Sequence, residues 1–556
     1  MTDNNKSLIH RIRGTVRILP VSLLSILFAM DSSAAGQFEE ALFDELEHHV
    51  PELASSSWYG EALAVEEQWL FEVYRENGFQ PFWFSDNGLG EAAMVLLDTL
   101  ENADQHGLAP QDYNVESITA LLDHANPAER ARLDLVLTDG FLRYVHDISE
   151  GQSKARHAFP ELFSEAGSPA FSPLEAIGFE GHPGGMQGYL SSMAPQHPYY
   201  RQLTEALAEY RKIAQLGGWP SIKDGPTLHP GESDSRVGRL RELLITTGDL
   251  EQDSGQGDTY DSETVAAVKR YQQRHGLSDD GVIGPQTLAA MNVPVAERIE
   301  QLKLNLERWR WHDRELGDTY VLVNIAGFDL KAVRENRLEL EMRVIVGKLH
   351  HETPVFSDRI RYAEFNPFWN LTPHIARTET LSHLRKNPGY LAEKHIRLFS
   401  SWGGDAVELD PLSIDWQSVT PRAMNRYKLR QDPGVWNALG TMKFIFPNKY
   451  SVYLHDTPNH DLFRTANRAF SHGCIRLSDP HAMAVFLLDQ GDGSWNRQRV
   501  EAIVDSAKRT IVNLPERIPV HLAYLTAWHD EEGVLHFNED LYGRDKRLLQ
   551  ALNAGN

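Results

Sequence analysis

A multi-domain α+β fold is predicted for this chain, and three observations predict it. At 556 residues the chain has room for about two to four domains, each burying its own core. Its first 226 residues carry apolar side chains at helical spacing, as in Ala92–Leu100, Arg130–Val145 and Leu203–Ala214. Beyond residue 319 the rhythm becomes a period of two. Val321, Val323 and Ile325 alternate with polar neighbours, and Leu338, Leu340, Met342, Val344 and Val346 alternate with residues such as Glu339, Glu341 and Arg343. That alternation predicts a β-rich C-terminal domain with one wet face. A hydrophobic content of 41% with 10% aromatics excludes a disordered chain. A formal net charge of −24 argues against nucleic acid and anionic membrane surfaces as partners. Charge runs such as Asp530-Glu531-Glu532 read as solvated surface.

In chain order, residues 1–35 read as an export signal. Lys6, Arg11, Arg13 and Arg17 precede the apolar Ile18–Met30, and Ser33-Ala34-Ala35 offers a small-residue cleavage site. The alternative is an uncleaved inner-membrane anchor through residues 18–30, but Pro20 interrupts a stretch already short of the roughly 20 residues a span needs. Residues 36–226 form a helical N-terminal scaffold domain, with Glu39–Leu46 as its first periodic stretch and Gly181-His182-Pro183-Gly184-Gly185 as a loop. Asp147, Glu150 and His157 read there as surface polarity, and Tyr199, Tyr200 and Trp219 as packing aromatics.

Residues 227–293 carry three short helices. Val237, Leu240 and Leu244 form one stripe; Asp261 or Ser262 caps a second helix bearing Val265, Val268 and Tyr271; Pro285 starts a third. Residues 294–318 form a linker, in which Ala296–Leu316 is a charged helix with Trp309 and Trp311. The β-rich domain spans 319–512, with an insertion at 374–430 that lacks strand rhythm, and 513–556 is a C-terminal extension.

The chemistry centres on Cys474, the single cysteine, in Ser471-His472-Gly473-Cys474-Ile475-Arg476-Leu477. A thiol with pKa about 8.5 is mostly protonated at neutral pH, so a nucleophilic cysteine needs a neighbouring base. Two histidines are candidates: His455, upstream at a strand end, and His472 in the loop itself. Along Tyr450–His455 the period of two puts Tyr453 and His455 on one face, opposite Val452 and Leu454. Gly473 allows a tight turn and leaves amide N–H groups to hold an oxyanion. Ser478-Asp479-Pro480 then starts a helix. His455, His472 and Asp456 lack the paired spacing of a zinc site, and no metal or other cofactor is expected.

The run from His455 to Leu477, with fifteen residues (456 to 470) before Ser471, resembles the active-site motif of L,D-transpeptidases. Gly347-Lys348, Thr353-Pro354, Asn366 to Asn370, Asn437 to Gly440, Lys443-Phe444 and Phe446-Pro447-Asn448 extend that resemblance over roughly Thr319 to Val512. Residues 227–293 resemble the three-helix peptidoglycan-binding module, through Tyr260 to Thr264, His275-Gly276-Leu277 and Asp279 to Thr287. The C-terminal segment, with Ala523 to Trp528, resembles the extension of the large multi-domain L,D-transpeptidases of Gram-negative bacteria.

The resemblance implies a periplasmic enzyme acting on peptidoglycan stem peptides, with a tetrapeptide donor and a diamino-acid acceptor, and possible company among other cell-wall enzymes. Cys474 becomes the nucleophile of a thioester and the target of carbapenems. His455 becomes the general base, with the Asp456 backbone carbonyl orienting it, and His472 is the alternative base or a structural residue. Gly473 joins the oxyanion hole, and Tyr453, Arg476, Ser471 and Trp369 become substrate-binding residues. The insertion becomes a lid. A carboxypeptidase or endopeptidase, a lipoprotein-anchoring transpeptidase, and a non-catalytic peptidoglycan-binding scaffold remain alternatives. No Ser-x-x-Lys occurs, which excludes a serine-based penicillin-binding active centre.

Overall fold

Asn126 starts the longest scaffold helix, α1 (Pro127–Glu150), by accepting from the Glu129 amide at 2.9 Å, with Pro127 in the first turn. The computed structural model describes residues 40–44, 46, 63–85, 88–122, 126–159, 171–252, 257–311, 316–489 and 491–554. The expected export segment lies outside them. Among the described residues no helix is long and apolar enough to cross a membrane. The periodic stretches expected at Ala92–Leu100 and Leu203–Ala214 are the helices Glu91–Glu101 and α2 (Pro198–Gln215). Tyr200 is buried, as expected of a packing aromatic, and the Trp219 indole donates to the Val293 carbonyl at 3.1 Å.

The three-helix module follows as α3 (Val237–Thr246), α4 (Ser262–Arg274) and α5 (Pro285–Met291). Asp261 caps α4 by accepting from the Thr264 amide at 2.9 Å, and Val237, Leu240, Leu244, Val268 and Tyr271 share one core. The module is docked rather than tethered. His275 stacks on Phe537 with centroids 5.8 Å apart, and a side chain at Gly276 would meet the Asn538 amide.

The expected linker differs from its sequence reading. α6 (Val295–Arg310) ends at Arg310, with Trp311 as its C-cap, and it is a buried strut. Leu302, Leu306 and Trp309 share one core with the scaffold helices and with Tyr320, Leu322 and Phe537 of the β-rich part. Its charges are buried in pairs: Glu307 with Arg310 at 2.7 Å, and Arg308 with Asp545 at 2.5 Å. The helix is charged in sequence, but Glu307 and Arg310 pair with each other along α6 and Arg308 pairs with Asp545 of the C-terminal segment.

The main sheet has nine strands: β1 (Tyr320–Asn324), β2 (Asp329–Arg334), β3 (Arg337–Gly347), β4 (Phe356–Phe365), β9 (Met442–Ile445), β10 (Leu454–His455), β11 (Ala469–Ser471), β12 (Ile475–Leu477) and β13 (Thr510–Ala523). Their order is β11-β3-β12-β10-β9-β4-β13-β1-β2, and β2 also pairs with β3, so the sheet closes on itself. Closure makes the wet face expected for β3 hold only for its first half; from Val344 to Gly347 every residue is buried. β13 runs parallel to β1 and antiparallel to β4, so the boundary expected at 512 falls inside a core strand. The hairpin of β14 (Ala527–His529) and β15 (Leu535–Phe537) follows it.

The insertion does contain strands. β5 (Trp369–Asn370), β6 (Ile396–Phe399), β7 (Glu408–Leu409) and β8 (Lys428–Gln431) form a second sheet, ordered β5-β8-β6-β7. Two to four residues are too few to display a period. Leu381, Leu384, Leu398, Trp416, Met424 and Leu429 give this subdomain its own core. It leaves and re-enters the chain at one place, since Asn370 pairs with Arg430 and Trp369 with Gln431.

Candidate active site

The nucleophile's position is set by a parallel strand pair at the middle of the closed sheet. Leu454 pairs with Ile475 and His455 with Arg476, while the Ile475 amide donates to the Tyr453 carbonyl at 3.1 Å. Residues level across a ladder share a face, as do residues two apart on one strand. Tyr453, His455, Cys474 and Arg476 therefore line one face, with Tyr453 beside Cys474 and His455 beside Arg476. The row continues outward, because Lys443 pairs with His455 and Glu364 with Lys443. Glu364 binds Lys443 at 3.0 Å and Arg509 at 2.6 Å. The regular strand starts only at Leu454. Before it, Asn448 accepts from the Tyr450 and Val452 amides at 3.0 and 3.2 Å, and Ser451 takes φ 57°.

The loop before Cys474 is locked from within. Ser471 Oγ donates to the Cys474 carbonyl at 2.6 Å and accepts from the Gly473 amide at 3.0 Å. Thr353 Oγ1 donates to the Gly473 carbonyl at 2.9 Å, and the Lys348 amide donates to the Ser471 carbonyl at 3.0 Å. Gly473 needs its freedom, at φ 110°. Ser471 is buried and braces the turn. The Gly473 N–H is committed to Ser471, which leaves the Cys474 amide as the loop's candidate oxyanion donor.

Cys474 keeps part of its surface accessible. Burial pushes its thiol up to about 11, against the Tyr453 backbone, the Arg476 charge and the Tyr453 hydroxyl, which favour the thiolate. Its sulfur lies 3.8 Å from the Ser451 carbonyl. Burial, then the thiol beside it, raises the Tyr453 phenol. His455 is buried, and burial together with the Arg476 charge lowers its imidazole to about 3. The carbonyls of Asp456 and Leu439 oppose that shift, the first at 2.5 Å from Nδ1.

The Asp456 carboxylate is a brace in its own right, accepting from Thr441 N at 2.7 Å, Thr441 Oγ1 at 2.8 Å and Thr457 N at 2.7 Å. Gly440 lies against it at φ 59°, and a side chain there would collide with the carboxyl group. Arg476 has a buried Nε with no hydrogen-bond partner, and burial lowers the pKa of its guanidinium.

The remaining expected residues are elsewhere. His472 faces outward and donates from Nε2 to Glu379 of the insertion at 2.6 Å. Trp369 pairs with Gln431 and packs at the edge of the insertion's core, which accounts for its burial without substrate. The sequence reading missed Glu364, Glu379 and the roles of Lys443 and Gly440. Lys443 and Gly440 stood in quoted motifs, but their partners come from distant strands.

Residues 318–491 match the family described as "L,D-transpeptidase catalytic domain", residues 233–291 a "Putative peptidoglycan binding domain" and residues 68–207 a "Scaffold domain". A Haemophilus influenzae protein named "Putative L,D-transpeptidase" is 34% identical over 228 residues, which are 41% of this chain and 45% of that protein. An N-acetylmuramoyl-L-alanine amidase of Bacillus licheniformis is 39% identical over 71 residues, 13% of this chain and 20% of the amidase. The chain thus spans less than half the length of either relative. Among solved structures, an L,D-transpeptidase from Mycobacterium smegmatis is similar at 13% identity and TM-score 0.19, over 37% of this chain and 58% of that one. One from Xylanimonas cellulosilytica is similar at 15% identity and TM-score 0.18, over 54% and 99%. On the matched segments, this chain joins an L,D-transpeptidase catalytic domain to a peptidoglycan-binding domain and a helical scaffold domain.

Proposed function

We propose that this protein is a peptidoglycan L,D-transpeptidase that forms 3→3 cross-links through a thioester on Cys474, acting outside the cytoplasm, in the periplasm. The observation that carries the reading is the single face holding Cys474, Tyr453, His455 and Arg476 in register. Cys474 Sγ attacks the carbonyl of the third residue of a donor tetrapeptide, and His455 takes the thiol proton. The Cys474 amide holds the oxyanion. His455 returns the proton to the amine of the departing D-alanine, leaving the thioester. The side-chain amine of an acceptor's diamino acid then attacks the thioester, and the thiol is regenerated. Arg476, with its unpartnered Nε on the same face, is suited to a stem carboxylate.

The insertion is read as a lid, a reading supported by the contact of Glu379 with His472, two residues from Cys474. Mass spectrometry of products from purified tetrapeptide muropeptides tests the reading. Dimers joined 3→3 that vanish with Cys474→Ala are expected. Free tripeptides alone make it a carboxypeptidase, and unchanged substrate overturns the enzymatic reading.

A further inference from the structure

We propose that Lys348 and His472 form a carboxylate-binding subsite for the stem peptide, held in this structure by the insertion's own Glu379; the inference rests on the transpeptidase reading above. His472 Nε2 lies 2.6 Å from Glu379 Oε1 and 3.5 Å from Lys348 Nζ. One ring nitrogen cannot donate to a carboxylate and accept from an ammonium at once. With Nε2 donating to Glu379, the Lys348 ammonium is a second donor group beside the same ring nitrogen. The Glu379 carboxyl responds accordingly. Burial opposes its ionisation, yet the His472 hydrogen bond and the charges of His472 and Lys348 outweigh burial and hold it below the usual carboxylate range.

Two further imidazoles flank the pair. The His351 ring is tilted against His472 with centroids 4.7 Å apart, and His374 of the insertion meets His351 edge-on at 5.2 Å. Burial, then His472 and Lys348, lowers the His351 imidazole. The nearby carboxylate of Glu352 is turned to Arg544 at 2.9 Å. Among the described residues no cluster of His, Cys, Asp and Glu side chains could hold a metal ion.

The two halves of the subsite are mounted differently. Lys348 and His472 sit on loops bolted together beside the nucleophile, through Lys348 N to Ser471 O at 3.0 Å and Thr353 Oγ1 to Gly473 O at 2.9 Å. Glu379 comes from a π-helical turn, Ala376–Thr380, and such turns concentrate at functional sites. That turn belongs to a subdomain with its own core, joined at one narrow root. With Glu379 withdrawn, two donor groups are left 3.5 Å apart, one of them two residues from Cys474, and a carboxylate is the ligand that can accept from both. The carboxylates nearest the reacting bond of a stem tetrapeptide are those of its terminal D-alanine and of its diamino acid.

Calorimetric binding of a soluble tetrapeptide stem to full-length Cys474→Ala protein tests the subsite without turnover. Adding Lys348→Met should weaken binding about tenfold, the loss of one charge-assisted contact. Adding Glu379→Gln should tighten it by about threefold, because the competing charge is gone. Peptides amidated at the D-alanine or at the diamino acid identify the ligand as the carboxylate whose loss abolishes the Lys348 effect. Unchanged affinity in both variants, or a Lys348 effect that survives both amides, overturns the subsite alone. Absence of tetrapeptide binding to Cys474→Ala itself overturns the transpeptidase reading with it.

Discussion

At Cys474 and His455 the protein favours the uncharged form of both partners. The thiol is raised to about 11 by burial, and the imidazole is lowered to about 3 by burial and Arg476. On the proposed mechanism the resting pair is thiol and imidazole, and the proton moves as the substrate is attacked. Alkylation of the resting protein by iodoacetamide should be slow at pH 7 and still rising at pH 10, measured as adduct mass against time. A plateau reached by pH 7 would instead reveal a preformed thiolate–imidazolium pair. Acylation by tetrapeptide should be lost in His455→Ala and only reduced in His472→Ala, whose ring is engaged by Glu379; the reverse order would exchange their roles. The identities of these residues were legible from spacing. The commitment of the Gly473 N–H was not, since it depends on where the Ser471 hydroxyl points.

Among the elements, the loop from Asn437 to Thr441 matters most to the site, because it brings the Leu439 backbone to His455. Gly440 lets that loop pass the Asp456 carboxylate at positive φ. Gly440→Ala should destabilise the protein by about 1–3 kcal/mol and slow acylation, read by thermal melting and thioester formation. An active variant with a wild-type melting curve would show that the loop tolerates a side chain. Caps and turns were readable here: Asp261 and Asp479 stand where their letters placed them. The insertion's strands escaped because β5 and β7 are two residues each. The linker's burial escaped because Glu307 and Arg310 pair with each other, 1% exposed apiece, and sequence alone does not show such pairing.

At the scale of the whole molecule, one core runs from the scaffold through α6 to the β-rich part, and buried or half-buried histidines lie near it. Burial lowers His106 and His197 to about 4, and His529 likewise, while His275 is held well below its ordinary value. His197 stacks on Trp309 of α6, and His275 on Phe537 of β15. Each is neutral when folded but titrates near 6.5 when unfolded, so its contribution is complete above that pH and lost as pH falls toward 4. Burial raises Asp134 to about 6 and Asp329 to about 7, which acts in the opposite sense over the same window. Among the described residues His351, His455 and His536 are lowered as well, and Asp112, Glu341 and Asp545 raised, so seven histidines stand against five carboxyls. The melting temperature should therefore fall as pH is lowered from 7 to 4, and a rise would show that the carboxylates dominate. The narrow root of the insertion carries a different implication. Because Asn370 and Arg430 are partners across one ladder, the closed sheet is blind to how much chain lies between them. A tight turn grafted in place of residues 371–429 would leave the rest of the molecule uninterrupted. Lineages of this architecture are thus free to lengthen, shorten or exchange that segment, and to change what the catalytic face meets, without renegotiating the fold beneath it.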